Sequence, residues 1–374
     1  MMKVLFCSPF SSESNVIKGG INTWGKYIIS YYQEMNSDNI ELIPVSFDRH
    51  TLITDNHSSL GRIVNGIKEQ RKPIKKAIQK MDSEKPQVMH LCSAGGLGLF
   101  RDYVLVKAAK KRGIKTSLHL HYGRIPELLS QNNWEWKLLS KIIGLCAVCI
   151  VMNRPCEKAL NDFGFKNISY LPNPLGMDIL DQIQKAEGKY QRHPRTLLFV
   201  GHVYKTKGVY ELVEACTKMS NVQLRIVGKF VDQLKNELQT IAAGKENGDW
   251  LHFIGEIPHE EVIKEFYQAD LFVFPSYTEG FPNVILEAMA CGCPIVSSDV
   301  GAIPEMLDIG ADDCGICFKP QSVDEVYQAV SMLIDNEQLK NEFSVKAKRR
   351  VNSLYVIPMV WKQMVQIWYQ AMKN

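Results

Sequence analysis

The sequence predicts an α/β protein built from two doubly wound domains, each a parallel sheet flanked by helices. Two observations carry this. Short apolar, β-rich runs alternate with longer segments of helical period along the chain, and the series runs once, breaks at a proline- and glycine-rich segment, and runs again. The length of 374 residues also fits two domains better than one.

In the first half the predicted strands are 3–8, 40–47, 88–92, 115–121, 146–152 and 168–171, the fifth closing an apolar run over 142–152. Helical patterns lie between them. Residues 24–35 place Trp24, Tyr27, Ile28 and Tyr31 on one face, and 101–112 ends at Gly113, the residue type that closes helices. The second half repeats the theme with strands at 197–201, 223–227, 251–255, 271–275, 294–298 and 315–318. Pro172, Asn173, Pro174, Leu175 and Gly176 can neither continue a ladder nor start a helix, so the boundary falls there. This divides the chain into a first domain at 1–175, a second at 176–353, and a terminal amphipathic helix in 354–374. That helix carries Trp361, Trp368 and Tyr369 and needs an apolar surface to dock on, for which the first domain is the candidate.

With 45% hydrophobic and 22% charged residues, disordered and fibrous classes are excluded. The net charge of +4 hides an asymmetry: residues 1–180 hold 24 Lys and Arg against 15 Asp and Glu, while 181–374 hold 20 against 25. An anionic partner is therefore a matter for the first half, and nothing in the balance argues for nucleic acid. No signal-peptide cleavage pattern follows Met1, so the ten cysteines are read as reduced thiols of a cytoplasmic protein. No apolar run approaches the ~20 residues of a membrane span. Cys291, Cys293, Cys314 and Cys317 could be counted as zinc ligands, but they fall at a helix-to-strand turn and a strand start and are read as structural.

In two facing doubly wound domains a ligand belongs in the cleft, at the carboxyl ends of the strands. After the strand ending at Pro275 comes a turn with Gly280, then Pro282 at the expected first helical position, and Gly292 at the helix end. Such a helix start receives phosphate through its amides and dipole. Asn283 and Glu287 are one i, i+4 step apart, so the Glu287 carboxylate can accept from hydroxyls of whatever carries the phosphate.

Glu279 and Glu287 form an E-x7-E pattern within the segment 279–296, EGFPNVILEAMACGCPIV, which closely resembles the signature of the family 4 retaining glycosyltransferases of the GT-B fold. Other segments resemble that family too: LFVGHVYKTKG at 198–208, the linker Leu171-Pro172-Asn173-Pro174, and the glycine pair in Lys18-Gly19-Gly20. The resemblance implies a GT-B protein of two Rossmann-like domains, nucleotide-sugar-binding in the second and acceptor-binding in the first. It implies a retaining, metal-independent hexosyltransferase that moves a sugar, from a UDP donor by the family's common usage, to a hydroxyl of a glycan or lipid-linked oligosaccharide in surface polysaccharide synthesis. No Asp-x-Asp occurs to chelate a metal, and neither metal nor cofactor is expected.

Residue by residue, the resemblance implies that Glu287 holds the donor ribose, Glu279 contacts the transferred sugar, and Lys207 neutralises the diphosphate with the backbone around Gly280, Phe281, Asn283 and Val284. Gly20, expected in a loop after the first strand, lets backbone approach the diphosphate. Gly228 and Ile257 line the base pocket. His202 stands where the family often has an arginine, with Lys205 nearby to compensate. His121, at the end of the fourth strand, is the acceptor-side histidine near the reacting carbon, and Gly95, Gly96 and Arg124 are assigned to the acceptor. His119 shares a face with His121, and His90 reads equally as site or core. Alternative readings are an epimerase or phosphorylase of the same fold, or a sugar-nucleotide-binding protein without turnover. Residues 62–85 form a basic run interleaved with isoleucines, and Trp134, Trp136, Lys137 and Lys141 follow. The basic run reads either as a solvated face or as peripheral contact with the inner face of an anionic membrane, and the four later residues either add to that contact or serve the core or an acceptor pocket.

Overall fold

A computed structural model describes residues 1–11, 19–35, 39–48, 59–244 and 249–373; for 59–69 it gives the backbone path alone. Lys18, and the side chains of Arg62 and Lys68 in the basic run, lie outside the described residues. The chain divides into two compact units, Met1–Pro174 with Ile357–Asn374, and Leu175–Val356.

The first unit holds strands β1 (Met2–Ser8), β2 (Ile40–Ser46), β3 (Val88–Ser93), β4 (Lys115–Leu120), β5 (Val148–Val151) and β6 (Ile168–Tyr170). They form one parallel sheet in the order β2-β1-β3-β4-β5-β6. Helices α1 (Gly20–Met35), α2 (Ser59–Glu84), α3 (Gly98–Lys111), α4 (Ile125–Gln131), α5 (Trp134–Ile143) and α6 (Arg154–Phe163) make the crossovers. Both faces of the sheet are covered, which is why its strands read as nearly unbroken apolar runs. Leu5, Cys7, Met89 and Leu91 pack with Leu105, Leu139 and Ile142 on one side. Val4, Phe6 and Val88 pack with Trp24 and Ile28 on the other. That second side is completed by the terminal helix α15 (Ile357–Lys373), whose Val360, Trp361, Met364 and Trp368 are buried in it. Trp361 lies 5.9 Å from the ring of Tyr31 and 6.0 Å from that of Tyr32.

The second unit repeats the scheme with α7 (Met177–Ala186), β7 (Thr196–Val200), α8 (Val209–Thr217), β8 (Gln223–Val227), α9 (Asp232–Ala242), β9 (Leu251–Gly255), α10 (His259–Gln268), β10 (Leu271–Phe274), α11 (Asn283–Cys291), β11 (Ile295–Ser298), α12 (Ile303–Met306), β12 (Ile316–Phe318), α13 (Val323–Ile334) and α14 (Glu337–Leu354). Its sheet runs β12-β11-β10-β7-β8-β9, also parallel. Counted from its own first strand this is the Rossmann order, with the reversal between β7 and β10. Leu175 bridges Val356 in parallel and donates its amide to the carbonyl of Tyr355 at 2.7 Å, closing this unit at its two chain ends.

Three local expectations need correction. The apolar run 142–152 is not one strand: Ile142 and Ile143 end α5, a turn with Cys146 follows, and only Val148–Val151 is extended. A buried helix end and a buried strand are equally apolar, so periodicity over so short a run cannot separate them. Gly20 is the first residue of α1 rather than part of a loop. Pro282 is the N-cap of α11, and the helix starts one residue later at Asn283.

Candidate functional site

The order reversal in the second sheet places the ends of β7 and β10 side by side, and the segments that leave them carry the main candidate residues. After β7 the chain passes Gly201 to a short 3-10 turn, Lys205–Lys207, closed by Gly208. Gly208 has φ +70°, and a Cβ there would lie 2.0 Å from the carbonyl oxygen of Pro275, so only glycine lets this turn press against the segment after β10. Tyr277 donates its amide to the carbonyl of Thr206 at 2.9 Å, locking the two segments together. As a result Lys207 Nζ meets Glu279 Oε1 at 2.5 Å, 72 residues away in sequence, with Lys207 also 5.6 Å over the ring of Phe274. The Glu279 side chain is only 13% exposed.

Glu279 is fixed from behind by a residue that sequence reasoning missed. Gly301 has φ +58°, its Cβ would stand 2.2 Å from the Glu279 carbonyl oxygen, and Ala302 donates to the carbonyl of Gly280 at 3.0 Å. From the Glu279–Gly280 turn the chain enters α11, whose N-cap Pro282 offers no side-chain acceptor to the first-turn amides. The candidates Gly280, Phe281, Asn283 and Val284 occupy the turn and helix start, as their spacing implied, and Phe281 packs against Tyr355.

Glu287, one turn into α11, is held by His259. The imidazole Nε2 lies 3.3 Å from Glu287 Oε1, and Nδ1 lies 3.3 Å from Gln182 Oε1. Burial alone would lower the His259 pKa; the hydrogen bond and charge of Glu287, aided by Asp178, outweigh it and raise the group above 6.5. His259 was not singled out from sequence. Its one signal was position, at the first residue of α10 and two residues beyond the candidate Ile257.

The ends of β7, β8 and β9 form a chain of glycines. Gly201 donates to the carbonyl of Val227, and Gly228 to that of Gly255. Gly228 has φ +134° with space for no Cβ, which would lie 2.0 Å from the carbonyl oxygen of Gly201. His202 and Lys205 are exposed on the loop after β7, where His202 stacks on Tyr204 with centroids 5.8 Å apart.

In the first unit, His121 follows β4, donates its amide to the carbonyl of Ser93, and lies with its ring tilted 38° to that of His119, centroids 4.0 Å apart. Trp24 lies parallel to His90 at 5.5 Å and meets His119 and His121 edge-on at 4.8 Å each. Burial pushes His90 and His121 down to about 3 and His119 well below its usual value, so all three are neutral at pH 7. His90 and His119 are core residues by burial. Gly95 and Gly96 both have positive φ, and the loop they form is tied down by Glu135, another residue missed from sequence. Glu135 accepts from the Gly96 amide at 2.6 Å and pairs with both terminal nitrogens of Arg124 at 2.5 and 2.9 Å. Arg124 is thereby oriented by a bidentate pair before any ligand arrives. Trp136 is buried against Phe163 and is core. Gly20 is exposed, with open space around its α-carbon.

Among the described residues one group brings three metal-ligating side chains together: His90, Cys92 and His119, with ligand atoms within 4.8 Å of one another. Trp368 Nε1–H donates to His90 Nδ1 at 3.0 Å, which leaves the neutral ring protonated on Nε2. His90 then has no lone pair to give, and burial raises the Cys92 thiol to about 12, so this donor set does not fit a cation. All ten cysteines are free thiols. No helix of the described residues is long and apolar enough to cross a membrane.

Residues 181–350, which contain Lys207, His259, Glu279, Glu287 and Gly301, match the family of glycosyl transferases group 1. Over this stretch the chain is similar to the group 1 glycosyl transferases. The capsular polysaccharide biosynthesis glycosyltransferase CapM of Staphylococcus aureus is 25% identical over 188 residues, 47% of this chain and 46% of that protein. The chain spans about half the length of the curated relatives it matches. Over the whole chain the fold is similar to sucrose-phosphate synthase from Thermosynechococcus elongatus, with 17% identity, 99% of both chains covered and a TM-score of 0.75. It is also similar to Anabaena HepE, solved in complex with UDP, with 15% identity, 98% and 99% coverage and a TM-score of 0.69. The fold is of the GT-B class, two Rossmann-like domains, with the glycosyl transferase match falling on the second.

Proposed function

We propose that the chain is a retaining glycosyltransferase that takes a sugar from a nucleotide diphosphate donor, UDP-linked, and transfers it to a hydroxyl of a glycan or lipid-linked oligosaccharide. The observation that carries this is the Lys207–Glu279 pair at the order reversal of the second sheet, in the turn that opens α11, with Glu287 one turn into that helix. CapM, named for capsular polysaccharide biosynthesis, supports the substrate class, and HepE with its UDP supports the nucleotide.

In this reading Glu287 accepts from the ribose hydroxyls, with His259 setting its position. Gly228 and Ile257 line the base. Lys207 leaves Glu279 for the diphosphate, where a fixed cation stabilises charge growing on the leaving group, and the α11 amides act beside it. Lys205 and His202 serve the same end from the loop after β7. This fixed positive charge takes the part that a divalent metal plays in sites that chelate one, so neither metal nor cofactor is needed. Glu279, released, accepts from a hydroxyl of the transferred sugar. On the acceptor side we assign His121, Gly95, Gly96 and Arg124. Retention follows if the acceptor oxygen attacks from the side the diphosphate leaves and a diphosphate oxygen takes its proton. The reaction is placed on the cytoplasmic side of the membrane, where a nucleotide-sugar donor is at hand.

The test is incubation with a panel of UDP- and GDP-sugars and lipid-linked glycan acceptors, reading product by mass and anomeric configuration by NMR. Transfer with the donor's configuration kept is expected. Donor hydrolysis or epimerisation without transfer across the panel, or an inverted product, would overturn the proposal.

A further inference from the structure

Two helices of the first domain share an aromatic and cationic surface that neither the fold nor the proposed chemistry uses. At about 100° per residue, positions 97, 100, 104, 107 and 111 fall within roughly 80° of arc along α3. Leu97, Phe100 and Val104 are 59%, 56% and 45% exposed, and the exposed Lys107 and Lys111 continue the stripe. On α5 the exposed Trp134, Lys137 and Lys141 fall within roughly 60°. Both helices return antiparallel to a parallel sheet, so they run the same way and their like ends meet. Phe100 stacks on Trp134 with centroids 5.7 Å apart and planes 12° from parallel. Further along, Lys107 and Lys141 both stand over the ring of Tyr103, at 5.4 and 5.2 Å.

The surface is also free of its own acids. The one acid of α3, Asp102, is buried against Arg101 and Ser93, and the one acid of α5, Glu135, is taken by Arg124 and Gly96. The exposed acid nearby in sequence is Glu127, on α4. Helix α2, which packs against α3, carries the exposed Arg71, Lys72, Lys75 and Lys76, and its exposed acid Asp82 is paired with Arg112 just beyond the α3 stripe.

We propose that this α3–α5 face docks on an anionic lipid bilayer. Leu97, Phe100 and Trp134 enter the headgroup boundary, where amphipathic aromatic rings settle, while Lys107, Lys111, Lys137 and Lys141 face anionic headgroups. Charge complementarity selects the occupant: a stacked aromatic pair bordered by four lysines with no exposed acid on either helix suits a surface that is apolar just below a layer of negative charge. The inference stands apart from the proposed chemistry and survives its failure.

The test is co-sedimentation of the full chain with large unilamellar vesicles of phosphatidylcholine, with and without phosphatidylglycerol. Binding at least tenfold tighter with the anionic lipid is expected, weakening as salt is raised. Phe100→Ser with Trp134→Ser, and separately Lys107→Glu with Lys141→Glu, should each lose at least tenfold, with an unchanged circular dichroism spectrum and thermal midpoint showing that the variants fold. No binding, or binding these variants do not weaken, would overturn the proposal. So would a dimer in solution that Phe100→Ser with Trp134→Ser converts to monomer, which would give the face to a second copy of the chain.

Discussion

His259 presents one ring nitrogen to Glu287 and the other to Gln182, each at 3.3 Å. Only the imidazolium donates from both nitrogens, which agrees with a pKa raised above 6.5. A histidine raised in the folded state contributes stability that is present below the unfolded value near 6.5 and lost as pH rises through the folded one. In an NMR titration His259 should therefore titrate above 6.5 in the wild type. In Glu287→Gln the charge is gone and burial acts with little opposition, so the value should fall below 6.5. An unchanged titration would show that Glu287 is not the cause.

The buried histidines of the first domain act in the opposite direction. His119 is fully buried, neither ring nitrogen has a hydrogen-bond partner among the described residues, and its pKa lies well below 6.5. Stability from such a group is complete above 6.5 and is lost as pH falls below it, by about 2 kcal/mol at pH 5. Urea unfolding at pH 7 and pH 5 should show this loss in the wild type and a smaller one in His119→Leu. Equal losses would contradict the account.

Gly301 and Gly310 make a matched pair. Both have positive φ, but a Cβ at 301 meets the Glu279 carbonyl at 2.2 Å while one at 310 meets nothing within 4 Å. Gly310→Ala should cost only about 1 kcal/mol of backbone strain. Gly301→Ala adds displacement of the Glu279 turn and should cost roughly 2–4 kcal/mol in urea unfolding. Equal costs would mean that the turn yields freely.

Much of the fold was legible because a sheet buried on both faces writes itself as apolar runs, and all twelve expected strands form among the described residues within a few residues of their predicted ends. The run 142–152 misled because its helix end is as buried as its strand. In the site, Lys207, Gly280 and Glu279 could be read from turn chemistry and resemblance. His259, Gly301 and Glu135 could not, because each matters only through a contact made across the fold: 28 residues separate His259 from Glu287, and 39 separate Glu135 from Gly96. The aromatic and cationic face is similar. Its residues lie on two helices separated by α4 and β4, so the sequence showed the basic run at 62–85 more plainly than this surface.

The central claim is that the second domain binds a nucleotide diphosphate through Glu287 and Lys207. The most direct measurement is isothermal titration of UDP, with GDP and NAD as comparisons, into wild type, Glu287→Ala and Lys207→Ala. The account predicts that UDP binds the wild type and that each variant, still folded, loses about tenfold to a hundredfold in affinity, as expected when a charged hydrogen-bond partner worth ~1.5–3 kcal/mol is removed. Equal affinity in all three proteins, or binding of NAD alone, would contradict it.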